Sequence, residues 1–276
     1  GKGNIAGALA FVGGGIFNQS LIVYTTIGGG HENIANAYAS TVTGGEFNNA
    51  GGNWSYVGAG QSNASIGIFS TTGGGASNVA SGDTSVIGGG SFNSAAGLVS
   101  TIAGGTKNGA LALMSTVGGG GSNSAASDFT VVAGGTSNTA LGIASAVGGG
   151  TGNSTGPGAN STVSGGFTNV ASGVNGAVGG GSLNVVGPGS DATIAGGHNN
   201  LASGMNGAVG GGTMNVAGPG ANTTVPGGFN NVASGDNSFA AGTSANAVDT
   251  CSFVWADCCR NSAGLVSSLY STGFNS

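Results

Sequence analysis

The chain has 276 residues, 64 of them Gly, and carries only three basic and eight acidic side chains, for a formal net charge of −5. A mean hydropathy of +0.23 with so little charge is the reverse of a disordered composition, and four Pro with no strict every-third Gly exclude a collagen helix. Three basic residues cannot neutralise a run of phosphates, so nucleic acid is not an expected partner, and no apolar run approaches the roughly 18 residues of a membrane span.

From the N-terminus, Asn recurs at a fixed interval. Asn4 opens the series fourteen residues before Asn18, and Asn33, Asn48, Asn63, Asn78, Asn93, Asn108, Asn123, Asn138 and Asn153 follow Asn18 in fifteen-residue steps. Asn169, Asn184, Asn200, Asn215, Asn231 and Asn246 then follow at alternating steps of sixteen and fifteen. Each longer step holds one extra residue, near Gly156-Pro157-Gly158, Gly187-Pro188-Gly189 or Gly218-Pro219-Gly220. Such self-similarity is the signature of a stacked architecture.

The unit opened by Asn108 shows the pattern: small Ala110, then Ser115, Val117 and a run of Gly118, Gly119 and Gly120. Residues two apart on a strand share a face, so Ser115 and Val117 are expected to point inward. Gly takes positive φ without cost and marks the corners. Fifteen residues cannot hold a strand and a crossover helix. The expected fold is therefore all-β, a parallel β-solenoid or β-roll of about 16 coils over residues 1–246, with stacked Asn side chains as a structural ladder. At about 4.8 Å per coil it would extend on the order of 75 Å. Residues 247–276 break the period, gather Cys, Trp and Tyr, and read as a cap or docking segment. No leader-like segment precedes the repeat, as in a mature or trimmed chain.

Inward Ala, Ser and Val make a thin core. Phe17, Tyr24, Phe47, Trp54, Phe69, Phe92, Leu98, Leu113, Met114 and Phe129 are too many and too large for it, and apolar patches without a charged rim point to association. In the C-terminal half the residue after each Asn is Val170, Val185, Leu201, Val216 and Val232, a stripe suited to contact between copies.

The runs Ala80-Ser81-Gly82-Asp83-Thr84-Ser85-Val86-Ile87-Gly88-Gly89 and Ala233-Ser234-Gly235-Asp236-Asn237-Ser238-Phe239-Ala240-Ala241-Gly242 are similar to the head repeat of YadA-like trimeric autotransporter adhesins. The resemblance spans residues 4 to about 246, although the period here is longer, the Gly corners heavier, and Cys present. It implies a left-handed parallel β-roll with three chains side by side, on a bacterial surface or in a phage tail fibre. The tail "SFVWADCCRNS" looks like the segment that often closes such arrays.

Catalysis finds little footing, and no catalytic residue, cofactor or metal site is expected. His31 and His198 are eleven coils apart, roughly 50 Å by the stacking distance, so they cannot share a proton-transfer site. The pair His31-Glu32 reads as surface. Asp83, Asp128 and Asp236 share one place in the repeat and read as solubilising turn residues rather than paired acids. Calcium-binding nonapeptides need an Asp in every unit, which is not met. Cys251, Cys258 and Cys259, an odd number, point to a disulfide between chains, a free thiol or burial; zinc would require a ligand from another chain. Asn-x-Ser/Thr sequons stand at Asn18, Asn53, Asn63, Asn153, Asn160 and Asn222, in a chain where those residues are frequent.

The expected function is that of a non-enzymatic, extracellular or cell-surface structural and adhesive fibre. Its expected partners are further copies of itself, as a homotrimer or filament, and a glycan or protein receptor on a host or other surface. An end-to-end filament or phage tail fibre subunit is the alternative within that class. From another class comes an ice-binding solenoid, motivated by Thr26, Thr41, Thr71, Thr101, Thr116, Thr162, Thr193 and Thr224 at one place in the repeat, a row that Tyr56, Val86, Val131, Ala146 and Phe239 interrupt.

Overall fold

The computed structural model describes the backbone of residues 1–260 and 266–271 and the side chains of residues 1–256. The chain is all-β, a parallel β-solenoid of about 17 turns with a repeat of about 15 residues. The coil opened by Asn4 is the turn beyond the sixteen that the later Asn residues mark. Two compact units share the coils, Gly1–Asn138 and Thr139–Ser276. No helix among the described residues is long and apolar enough to cross a membrane.

In the first unit the coil around Asn108 stands for the others. It contains two strands of two residues each, Gly109–Ala110 and Thr116–Val117, and one isolated bridge residue, Thr106. Each pairs in parallel with the same place in the coils on either side: Ser94 with Gly109 with Ser124, Thr101 with Thr116 with Val131, Ser91 with Thr106 with Gly121. Backbone donors are satisfied by the following coil, as in Gly109 N–H to Asn123 O (2.8 Å), Thr116 N–H to Thr130 O (2.9 Å) and Gly118 N–H to Val132 O (2.9 Å). Stacking whole coils thus meets the requirement that buried backbone groups be paired.

Ala110, Ser115 and Val117 are buried, as are their counterparts Ala95, Ser100 and Ile102 one coil away. Thr101 and Thr116 between them face outward and are half-buried. Alternation of period two therefore survives even in strands this short. The core is one Ala, one hydroxyl and one Val or Ile thick. Where Ser replaces the inward Ala, a second hydroxyl answers it: Ser20 Oγ donates to Thr25 Oγ1 (2.8 Å) and Ser65 Oγ to Thr72 Oγ1 (2.9 Å).

One glycine per coil is dictated by space as well as by conformation. Gly105 has φ +90°, and a Cβ there would lie 2.2 Å from Gly120 O and 2.6 Å from Asn108 Nδ2. Its neighbour Gly104 has nothing within 4 Å.

In the second unit the Gly-Pro-Gly inserts are absorbed at a corner, and the strand register does not move: Ala146 pairs with Thr162, Thr162 with Ala177, Ala177 with Thr193, Thr193 with Ala208, and Ala208 with Thr224. Pairing runs on past the expected boundary at 246, because Asn246–Ala247 pairs with Val232–Ala233 and Phe253 with Phe239. Strand Val266–Ser271 then pairs antiparallel with Phe253–Arg260, ending that sheet on a strand of opposite sense.

Both corners of each coil hold a residue in the left-handed region, usually not Gly. One corner carries Phe17, Phe47, Phe92 and Lys107 at φ +55° to +57°. The other carries Tyr24 (+64°), Trp54 (+55°), Phe69 (+57°), Val99 (+58°), Met114 (+52°) and Phe129 (+60°). Asn tolerates this region and a β-branched residue does not. Replacing Val99, which is 41% exposed, with Asn is expected to raise stability by about 1 kcal/mol. Equilibrium denaturation checks the sign; a loss of stability would mean that Val99 packing outweighs the strain.

Candidate interaction surfaces

The Asn column is built at the corner where the strands stop. Asn108 N–H donates to Asn93 Oδ1 (2.9 Å), and Asn108 Oδ1 accepts from Asn123 N–H (3.0 Å). Its Nδ2 donates to Gly104 O (2.9 Å) in its own coil's approach and to Gly120 O (3.0 Å) in the following coil. The side chain is 1% exposed. One amide therefore satisfies Gly104 O and Asn123 N–H, which no strand ladder reaches, and gives Gly120 O a second donor beside Thr106 N–H. Asn18, Asn33, Asn48, Asn63, Asn78, Asn93, Asn123 and Asn138 are buried in the same column of the first unit, as are Asn153, Asn169, Asn184, Asn200, Asn215 and Asn231 in the second.

Asn246 lies outside this column. Ala245 N–H donates to Asn231 Oδ1 (2.9 Å), so Ala245 holds the ladder position, and Asn246 is exposed opposite Val232. The cause is a shortened corner: Ala241 and Gly242 (φ +103°) stand where other coils have an extra Gly, and everything after them arrives one residue early.

Val170, Val185, Leu201, Val216 and Val232 are vertical neighbours, paired in that order, each half-buried with its following residue turned into the core. The aromatic residues of the first unit also form a row. Tyr24 meets Tyr38 edge-on (ring centroids 5.6 Å), Tyr38 meets Trp54 edge-on (5.4 Å), and Trp54 stacks on Phe69 (4.8 Å, 7° between planes). All four rings are exposed. Phe92, Leu98, Met114 and Phe129 are exposed too, whereas Leu113 is half-buried.

At that corner the second unit carries a different chemistry, an exposed column of amides with one carboxylate: Asn160, Asn175, Asp191, Asn206, Asn222 and Asn237. Asn175 Nδ2 donates to Asp191 Oδ1 (2.9 Å), Asn206 Nδ2 to Asn222 Oδ1 (2.8 Å) and Asn222 Nδ2 to Asn237 Oδ1 (2.9 Å). Sequence reasoning missed it, though the same alternating interval of fifteen and sixteen was there to count.

The aspartates read as solubilising also tie coils together. Asp83 Oδ1 accepts from Ile68 N–H (2.8 Å), Asp128 Oδ1 from Leu113 N–H (3.1 Å) and Asp236 Oδ1 from Ala221 N–H (2.8 Å). His31 lies between two carboxylates, Nδ1 at 3.0 Å from Glu46 Oε1 and Nε2 at 3.2 Å from Glu32 Oε1, on the surface. His198 Nδ1 lies 2.8 Å from Ser182 Oγ. The two histidines belong to different units. Among the described residues no group of three or more His, Cys, Asp or Glu could hold a metal ion. Cys251 is exposed and outside any disulfide. Cys258 and Cys259 lie in the strand Phe253–Arg260, and their side chains fall outside the described residues.

Of the sequons, Asn18, Asn63 and Asn153 are buried in the ladder, while Asn53, Asn160 and Asn222 are exposed. The Thr residues of one column are in register, yet Tyr56, Val86 and Val131 separate them in the first unit, and Ala177 and Ala208 in the second.

Fold and surfaces define a β-solenoid repeat protein whose outward columns are apolar, amide or hydroxyl in turn. Compared with known families and with curated proteins, the chain matches no family model and no curated sequence.

Proposed function

We propose that the protein is a non-enzymatic extracellular structural and adhesive fibre component, a stacked-coil spacer that associates with copies of itself through apolar columns. The observation that supports this reading is the in-register stripe Val170, Val185, Leu201, Val216 and Val232, outward-facing in a chain with almost no charge. Monomers rarely expose contiguous apolar surface, because association removes it from water. The resemblance to trimeric adhesin heads agrees with lateral packing of copies.

A Val216→Lys change puts one charge in the middle of the stripe and leaves the inward Ala217 untouched. Light scattering on the purified chain is expected to give an oligomer for the unchanged protein and a shift toward monomer for the variant, by about tenfold or more in dissociation constant. A monodisperse monomer at micromolar concentration before any substitution would end the self-association reading.

A further inference from the structure

We propose that the aromatic and acidic corner of the first unit is a docking ridge for a basic, extended partner segment bearing Arg or Lys side chains. The proposal rests on the adhesive half of the reading above and is independent of self-association.

Strain is the first observation. Tyr24, Trp54, Phe69, Val99, Met114 and Phe129 occupy the left-handed region, where bulky side chains are disfavoured, with only Ala39 and Thr84 between them at the same corner. In the second unit the same corner carries Asn or Asp in six successive coils, from Asn160 to Asn237, between Ala144 and Cys251; these residues suit that backbone and bond to one another from coil to coil. Folding alone is thus served by Asn. In the first unit, large apolar side chains are kept at a cost in stability and are turned outward, Tyr24 and Phe69 each 54% exposed. Strain that the coil does not need is a mark of a surface kept for use.

Charge supplies the partner. Within the first unit the charged residues on this corner are Asp83 and Asp128; Lys2 is on the bridge column, and Lys107 is at the opposite corner. Each aspartate spends one oxygen on a backbone N–H, and the ion pairs found among the described residues involve only His31. Exposed rings beside carboxylates that lack a cation suit a guanidinium or ammonium group, through the ring quadrupole and through charge. A second copy is a poor occupant, since it brings a net −5 and the same acidic ridge.

The test uses the full chain, with Trp54 as fluorescence reporter and calorimetry for affinity. The probes are a synthetic peptide alternating Arg with Ser and its Glu/Ser counterpart. The Arg peptide is expected to perturb emission saturably and to lose affinity with added salt; the Glu peptide is expected not to bind. The paired change Trp54→Asn with Phe69→Asn copies the second unit's corner. It should weaken Arg-peptide binding about tenfold or more while the melting temperature holds or rises, an outcome a merely structural role would not give. Asp83→Asn with Asp128→Asn keeps the acceptor for each backbone N–H and removes the charge, and should weaken binding by a similar factor. Equal binding of the two peptides, undiminished binding by both paired variants, or an emission change that follows protein concentration alone would overturn the proposal. Peptide binding by a chain that scatters as a monomer would remove the self-association reading and leave this one standing.

Discussion

An Asn108→Asp substitution is expected to cost about 4 kcal/mol or more, the largest effect of any single side-chain exchange in the first unit. The carboxylate can still accept from Asn123 N–H, but it cannot donate to Gly104 O or Gly120 O, the two carbonyls that Asn108 Nδ2 now holds. Gly120 O keeps the Thr106 N–H at 2.9 Å. Gly104 O would face a buried negative charge instead of a donor. Because each coil touches only its neighbours, the damage should be local, concentrated in the coils on either side. Hydrogen exchange of the Gly104–Gly121 segment, alongside denaturant unfolding, measures both size and place. A loss below about 1 kcal/mol would show that the amide column does not stabilise the stack.

Gly105→Ala is expected to cost about 3 kcal/mol, whereas Gly104→Ala next to it should be close to neutral. At Gly105 the backbone is left-handed and the added methyl would sit 2.2 Å from a backbone carbonyl of the following coil, which cannot swing aside as a side chain would. At Gly104 nothing lies within 4 Å. Melting both variants separates the close approach of coils from a general preference for Gly at corners; equal melting temperatures would refute the steric account.

Much of this is legible in the sequence alone. Parallel coils stacked without slip turn an equal offset in the sequence into a vertical neighbour in space, so the spacing of Asn78, Asn93 and Asn108 was already a statement about contact. The inward places of Ser115 and Val117 followed from the two-residue alternation of a strand, and the excess of large apolar residues from the smallness of Ala and Ser. What the spacing could not supply was anything that depends on how the backbone turns. Asn246 fits the interval count, yet it misses the column, because one residue was lost at the Gly242 corner and register, rather than count, selects the partner. The aspartates looked like solvated turn residues, since nothing local reveals that Asp83 reaches back to the N–H of Ile68 in the preceding coil. The left-handed corners were hidden for the same reason: Tyr24, Trp54, Phe69 and Val99 disfavour that conformation on their own, and only the stacking of coils above and below imposes it. Period and inward pattern are properties of the chain taken one coil at a time, and the sequence by itself determined them. Which side chains share a corner, and at what cost, depends on backbone dihedrals that neighbouring coils enforce together, and this only the tertiary structure decided.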